Sequence, residues 1–142
     1  MKRGKYPKFA LYLQYGNILC PSVNLTNNEC YYRFALLCYS TSCISYSSIV
    51  NNTANPGHGC IGLSSSSHCI DTCNILNNYQ EIDSYGTIYT NANLFIKDSC
   101  ILGINKRKRV FWAGYKWTIT ISNCTIDDDI FTSSRYRGTV TL

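Results

Sequence analysis

The segment CIDTCNI at residues 69–75 decides the fold, because nearly the same phrase returns as CISYSSI (43–49), FIKDSCI (95–101) and TISNCTI (120–126). Each copy holds two isoleucines five residues apart: Ile44 and Ile49, Ile70 and Ile75, Ile96 and Ile101, Ile121 and Ile126. The first member recurs at intervals of 26, 26 and 25 residues. A second apolar segment precedes each pair: FALLC at 34–38, GCIGL at 59–63, GTIYT at 86–90 and FWAGY at 111–115. FALYL at 9–13, with Ile18 and Val23, extends the pattern backward, and GTVTL at 138–142 stands two periods after GTIYT. The chain therefore divides into a basic tail at 1–8 and a repeat region at 9–142 whose last coil is truncated.

Each copy carries two or three short β-branched segments and closes on an Asn- or Asp-rich turn: Asn51-Asn52, Asn77-Asn78, Asn105 and Asp127-Asp128-Asp129. These segments are too short for a helical solenoid, the LxxLxL signature of leucine-rich repeats is absent, and a propeller blade needs about 40 residues. A period near 25 with short strands predicts an all-β fold, a single-stranded right-handed parallel β-helix of about five coils of roughly 25–26 residues. One coil cannot bury its own apolar face, so equivalent residues should stack. The expected inward ladders are Ile18, Ile44, Ile70, Ile96 and Ile121; then Val23, Ile49, Ile75, Ile101 and Ile126; then Leu11, Leu36, Ile61, Ile88, Ala113 and Val140. Strand alternation sends Tyr12, Leu37, Gly62, Tyr89 and Trp112 outward on one sheet. The corner Asn and Asp residues are read as left-handed turns, backbone partners or stacked amides.

Composition agrees with strands and turns. Of 142 residues, 45% are hydrophobic and only 15% charged, with Ser, Thr and Asn frequent and helix-favouring Ala and Glu scarce. The net charge of +5 concentrates in MKRGKYPK, in KRKR at 106–109, and in Arg135 and Arg137. A solvated loop is the reading adopted for KRKR, and no basic face with interleaved aromatics points to nucleic acid. No secretory signal is evident in the opening residues, and no run reaches the roughly 18 apolar residues of a spanning helix.

The nine cysteines lack any CxxC spacing. His68, Cys69 and Cys73 form the one weak metal-binding grouping, and the reading adopted is no metal and no cofactor. Buried thiols are the default, although Cys43 and Cys69 fall one period apart, which leaves a bridge between neighbouring repeats open. Asn24, Asn51 and Asn123 head N-x-Thr triplets that accept glycans wherever a chain meets that machinery.

The paired-Ile phrases, the SCI and NCTI segments and the stretch GTIYTNANLFIKDSCILGIN (86–105) resemble right-handed β-helix proteins of the pectate-lyase-like group. They are most similar to the polymorphic-outer-membrane-protein-like surface repeat proteins of parasitic protists. That resemblance implies a cell-surface or secreted setting and a fragment or truncated paralogue of a longer protein.

Two functional classes follow. A polysaccharide lyase or hydrolase needs converging carboxylates, but Glu29, Asp71, Glu81, Asp83, Asp98 and Asp127–Asp129 are scattered over the repeat. Asp71 and Asp98 are offset by one repeat position, and neither His58 nor His68 has an acid in register. The preferred reading is a non-enzymatic surface or adhesin-like module whose outward face, with Tyr12, Tyr89, Trp112, Tyr115 and Trp117, binds glycan or protein. Uncapped end coils add end-to-end self-association, or a chain without independent function.

Overall fold

The computed structural model describes residues 9–31, 34–55, 59–65, 67–80, 86–103, 110–127 and 138–142. The basic tail, KRKR, His58, Glu81, Asp83, Asn105, Asp128, Asp129, Arg135 and Arg137 lie outside these residues. Among the described residues every regular element is a strand. The first coil holds β1 (Leu11–Leu13), β2 (Ile18–Pro21), β3 (Asn24–Thr26) and β4 (Glu29–Tyr31). The second holds β5 (Leu36–Cys38), β6 (Ser42–Ser45), β7 (Ser48–Val50) and β8 (Thr53–Asn55). The third holds β9 (Ile61–Ser64), β10 (His68–Asp71), β11 (Asn74–Leu76) and β12 (Tyr79–Gln80). Then come β13 (Ile88–Asn91), β14 (Leu94–Lys97) and β15 (Cys100–Leu102), followed by β16 (Phe111–Ala113), β17 (Thr118–Ser122) and β18 (Thr125–Ile126), and finally β19 (Thr139–Thr141).

All pairings are parallel and join each coil to the next, giving sheet one (β1-β5-β9-β13-β16), sheet two (β2-β6-β10-β14-β17-β19), sheet three (β3-β7-β11-β15-β18) and sheet four (β4-β8-β12). The result is a parallel β-solenoid of about four turns. The sequence count of five coils differs because five stacked strands, from β1 to β16, are separated by four steps.

The core is the inner lining of sheets one to three, with Ile44, Ile49, Ile61, Ile70, Ile75, Ile88, Ile96 and Ile101 essentially sealed from solvent. From the second coil onward the isoleucine ladders stand as expected: Ile44, Ile70, Ile96 and Ile121 are in register, as are Ile49, Ile75, Ile101 and Ile126. Four assignments are corrected. In the first coil Cys20, not Ile18, aligns with Ile44, and Leu25, not Val23, aligns with Ile49. In sheet one Ile88 pairs with Phe111 rather than Ala113. Val140 pairs with Ile119 in sheet two instead of extending sheet one. The first three corrections are shifts of two residues, which preserve the inward or outward sense of every side chain and so leave the hydrophobic pattern satisfied.

The corners explain the Asn doublets. Between sheets three and four, Asn27, Asn51, Asn77 and Gly103 take positive φ of 57°, 54°, 53° and 74°. That left-handed step turns the chain, and Asn and Gly tolerate it best. At Gly103 a Cβ would lie 1.8 Å from the Asn77 amide oxygen, so the last of these corners also needs glycine for space. The second asparagine of each doublet points inward. Asn52 Oδ1 accepts from the Asn28 backbone N–H (3.1 Å) and side-chain amide (2.9 Å), and Asn78 Oδ1 accepts the equivalent pair from Asn52, both at 3.0 Å. Nδ2 of Asn52 donates to Leu25 O (2.9 Å), and that of Asn78 to Ile49 O (2.7 Å).

The corner between sheets two and three repeats the device with smaller groups. Ser22, Tyr46, Thr72, Asp98 and Asn123 have φ of 49–58°. The residue after each faces in, and Ser47 Oγ accepts from Val23 N–H (2.9 Å) while Ser99 Oγ accepts from Cys73 N–H (3.0 Å). Cys124 Sγ takes the Ser99 N–H at 3.4 Å.

Replacing Asn52 by Ala strips the Asn28 amide, Leu25 carbonyl and Asn78 side chain of partners inside a dry corner, and should cost about 3 kcal/mol in urea unfolding followed by circular dichroism. Thr72→Asn should instead stabilise by ~0.5–1 kcal/mol, because a β-branched residue is poorly suited to φ 53°. Equal effects for the two substitutions would contradict this account of the corners.

Candidate functional site

The outward row of sheet one holds Tyr12, Leu37, Gly62, Tyr89 and Trp112 in register. It is not a row of open ring faces. Gly62 leaves a gap that Phe34, arriving from the second coil, fills: a Cβ on Gly62 would lie 2.7 Å from that ring. Phe34 then stacks on Tyr89 (centroids 5.5 Å, 29°), and Tyr89 on Trp112 (4.7 Å, 21°). The second spacing matches the distance between neighbouring strands, so the stack follows the solenoid axis. Leu37 and Phe34 are buried, and Tyr89 and Trp112 are half-buried. Tyr12 forms a separate cluster with Phe9 (4.8 Å, stacked) and Tyr39 (5.9 Å, edge-on).

Tyr115 and Trp117 sit on the corner between sheets one and two. Tyr115 is exposed, and Trp117 is half-buried with Lys116 Nζ 5.1 Å from its ring centroid. From this corner a shallow groove of about 400 Å³ crosses three coils, lined by Ser67, His68, Asn93, Leu94, Phe95, Thr118 and Thr120. Phe95 is 41% exposed, and Asn93 Oδ1 accepts from the Thr118 N–H at 3.2 Å. No lining side chain is an acid, a lysine or an arginine. Sequence reading missed the groove, because it is made by corner residues that no periodic pattern marks. The weak signal was a polar residue just before each of the register partners His68, Leu94 and Ile119, namely Ser67, Asn93 and Thr118, beside the outward Phe95.

His68, the first residue of β10, points inward, in the row Ile18, Ser42, His68, Leu94, Ile119. Its Nδ1 lies 2.8 Å from Ser42 Oγ and its Nε2 3.2 Å from Ser64 O. Ser64 O can only accept, so Nε2 carries the proton and Ser42 donates to Nδ1. Ser42 also bonds the buried Cys38, whose thiol is pushed up to about 11 by burial. Both Ser42 and His68 are buried, at 3% and 4% exposure, which makes the pair a sealed structural bond rather than an activated nucleophile.

The remaining groups do not converge. Cys69 points outward, and Cys73 points inward at a corner, so neither faces one point with His68. Among the described residues no three His, Cys, Asp or Glu side chains could hold a metal. Asp71 pairs with Lys97 across adjacent strands (2.9 Å), which lowers its pKa, and Asp98, at a corner rather than within a strand, accepts from Asn123 Nδ2 (2.6 Å). Asn24, Asn51 and Asn123 are all exposed, the first in β3 and the others at left-handed corners. No described helix is long and apolar enough to cross a membrane.

No protein-family model, no curated protein and no solved structure matches this chain. The parallel β-solenoid therefore rests on the chain's own repeat and registers.

Burial lowers the pKa of His68 below its ordinary 6.5. The unfolded chain takes the proton first as pH falls, so stability is full above pH 6.5 and declines below it. The lowered pKa of Asp71 adds a loss only below its ordinary 3.8. Urea midpoints should drop between pH 7 and 5, and His68→Leu should flatten that drop; an unchanged slope in the variant would place the titration elsewhere.

Proposed function

We propose that the chain is a non-enzymatic β-solenoid module, of the kind found in surface or adhesin-like repeat proteins, that binds glycan or protein on the faces meeting at the corner between sheets one and two. The observation that carries the reading is the groove lined by Ser67, Asn93, Phe95, Thr118 and Thr120. It offers one apolar ring among amide and hydroxyl groups, the mixture that grips a polyhydroxylated ligand: the ring covers its C–H face and the polar groups meet its hydroxyls. Trp117 and the Tyr89–Trp112 stack border the same end of the solenoid, so a longer ligand could extend from the groove onto sheet one.

The scatter of acids supports binding over hydrolysis. A glycosidase pair requires two carboxyls roughly 5–9.5 Å apart facing one bond, whereas Asp71 is engaged by Lys97 and Asp98 by Asn123. A surface or secreted setting draws support from the exposure of all three acceptor asparagines and from the likeness to protist surface repeats in the paired-Ile and Asn-rich segments. Self-association belongs to the same proposal, because among the described strands β1 to β4 pair on one edge only and can receive another strand.

A glycan array followed by titration calorimetry tests the reading. A bound glycan or protein should lose about tenfold or more in affinity to Phe95→Ala or Trp112→Ala, the loss typical of a buried aromatic anchor. Binding indifferent to both variants would move the site elsewhere, and accumulation of cleaved sugar would favour a polysaccharide-active enzyme.

A further inference from the structure

Outward on sheet two runs the row Leu19, Cys43, Cys69, Phe95 and Thr120, one residue per coil. Of the nine cysteines, only Cys43 and Cys69 are register partners in the strand pairings. Both are half-buried on the outer surface, with exposed Leu19 and Phe95 as their neighbours in the row, and both are thiols. The other cysteines follow a different logic. Cys30, Cys38, Cys60 and Cys73 are buried, Cys20 stacks inward with Ile44, Cys100 is half-buried between Asn74 and Thr125, and Cys124 serves a corner amide.

We propose that Cys43 and Cys69 form a surface dithiol that undergoes thiol–disulfide exchange with small disulfides of the glutathione disulfide class, closing to a bond that staples the second coil to the third. The thiolate of one cysteine attacks a sulfur of the small disulfide, forming a mixed disulfide and expelling one small thiolate, which takes up a proton. The second cysteine, as its thiolate, then attacks the protein-side sulfur, forming Cys43–Cys69 and expelling the second small thiol. Two protein thiols are oxidised and one small disulfide is reduced to two thiols, so the step balances.

Geometry sets the character of this bond. In-register parallel strands stand about 4.8 Å apart, within the Cα range of disulfides but wider than their usual Cβ separation of about 3.5–4.5 Å. Closure must pinch two coils together, which disfavours the bond and makes it reversible. Burial and then the hydrogen bond to Cys43 push the Cys69 thiol up to about 12, so exchange should speed up as pH rises.

The folded chain would be equilibrated in stepped ratios of oxidised to reduced glutathione, quenched with an alkylating agent and mapped by peptide mass spectrometry. The expected result is a Cys43–Cys69 cross-linked peptide at oxidising ratios that disappears on return to reduced glutathione. Cys69→Ser should lose the cross-link and retain a glutathione adduct at Cys43, with an unchanged circular dichroism spectrum. Phenylarsine oxide, which bridges two close thiols, should bind the native chain at one equivalent, and at least tenfold more weakly after Cys43→Ser. The proposal is overturned if both cysteines stay alkylatable at every ratio, if they cross-link only in urea, or if the arsenical binds the single-cysteine variants as well as the native chain.

Discussion

Every coil of this protein must bring its chain around corners without leaving a buried amide unbonded, and the rest of the structure depends on how that is done. The left-handed step at Asn27 and Asn51 turns the chain and leaves the next N–H, that of Asn28 or Asn52, facing the interior. The acceptor comes from the equivalent asparagine one coil on, so the bond that repairs the corner also sets the coil-to-coil alignment. Ser47, Ser99 and Cys124 do the same at the preceding corner. Isoleucine stacking supplies apolar burial but tolerates sliding by two residues; the side-chain amides do not, because each must meet particular donors and acceptors on the coils beside it.

That difference separates what could be read from sequence from what could not. The isoleucine pairs of the later coils identified period and fold class, because large β-branched residues returning at a fixed interval must stack coil upon coil to be buried. The first coil misled for a physical reason: Ile18 and Val23 have the same spacing as Cys20 and Leu25 and face the same way, so periodic apolarity cannot choose between them. The corner could have chosen. Aligning Asn27-Asn28 with Asn51-Asn52, rather than isoleucine with isoleucine, places Cys20 on Ile44 and Leu25 on Ile49, as the registers have it. Phe111 was displaced by the same insensitivity, since Ala113 is two residues along and also inward.

The outer surface was legible only where it inherits strand alternation. Tyr12, Tyr89 and Trp112 share a row because their strands do. What that row offers a partner depends on Phe34, which leaves its own coil to cover Gly62, a contact with no periodic trace. His68 was hidden for the opposite reason. Ile18, Leu94 and Ile119 share its inward row, yet a histidine flanked by Ser67 and Cys69 reads as a surface residue until Ser42 is seen beneath it. The groove depends on neither rule, being the space left where the corner between two sheets meets Phe95.

The ring of Phe34 over Gly62 also bears on how such a chain can grow or shrink. Solenoids lengthen by tandem copying of a coil, which is harmless when the coils are interchangeable. Here a coil carrying Gly62 needs a phenylalanine lent by the coil before it. A copy of the glycine coil alone would present two vacancies to one ring, and deleting that coil would drive Phe34 against a full side chain. These two neighbours can be duplicated or lost only together, so the inheritable unit at this point is a pair of coils.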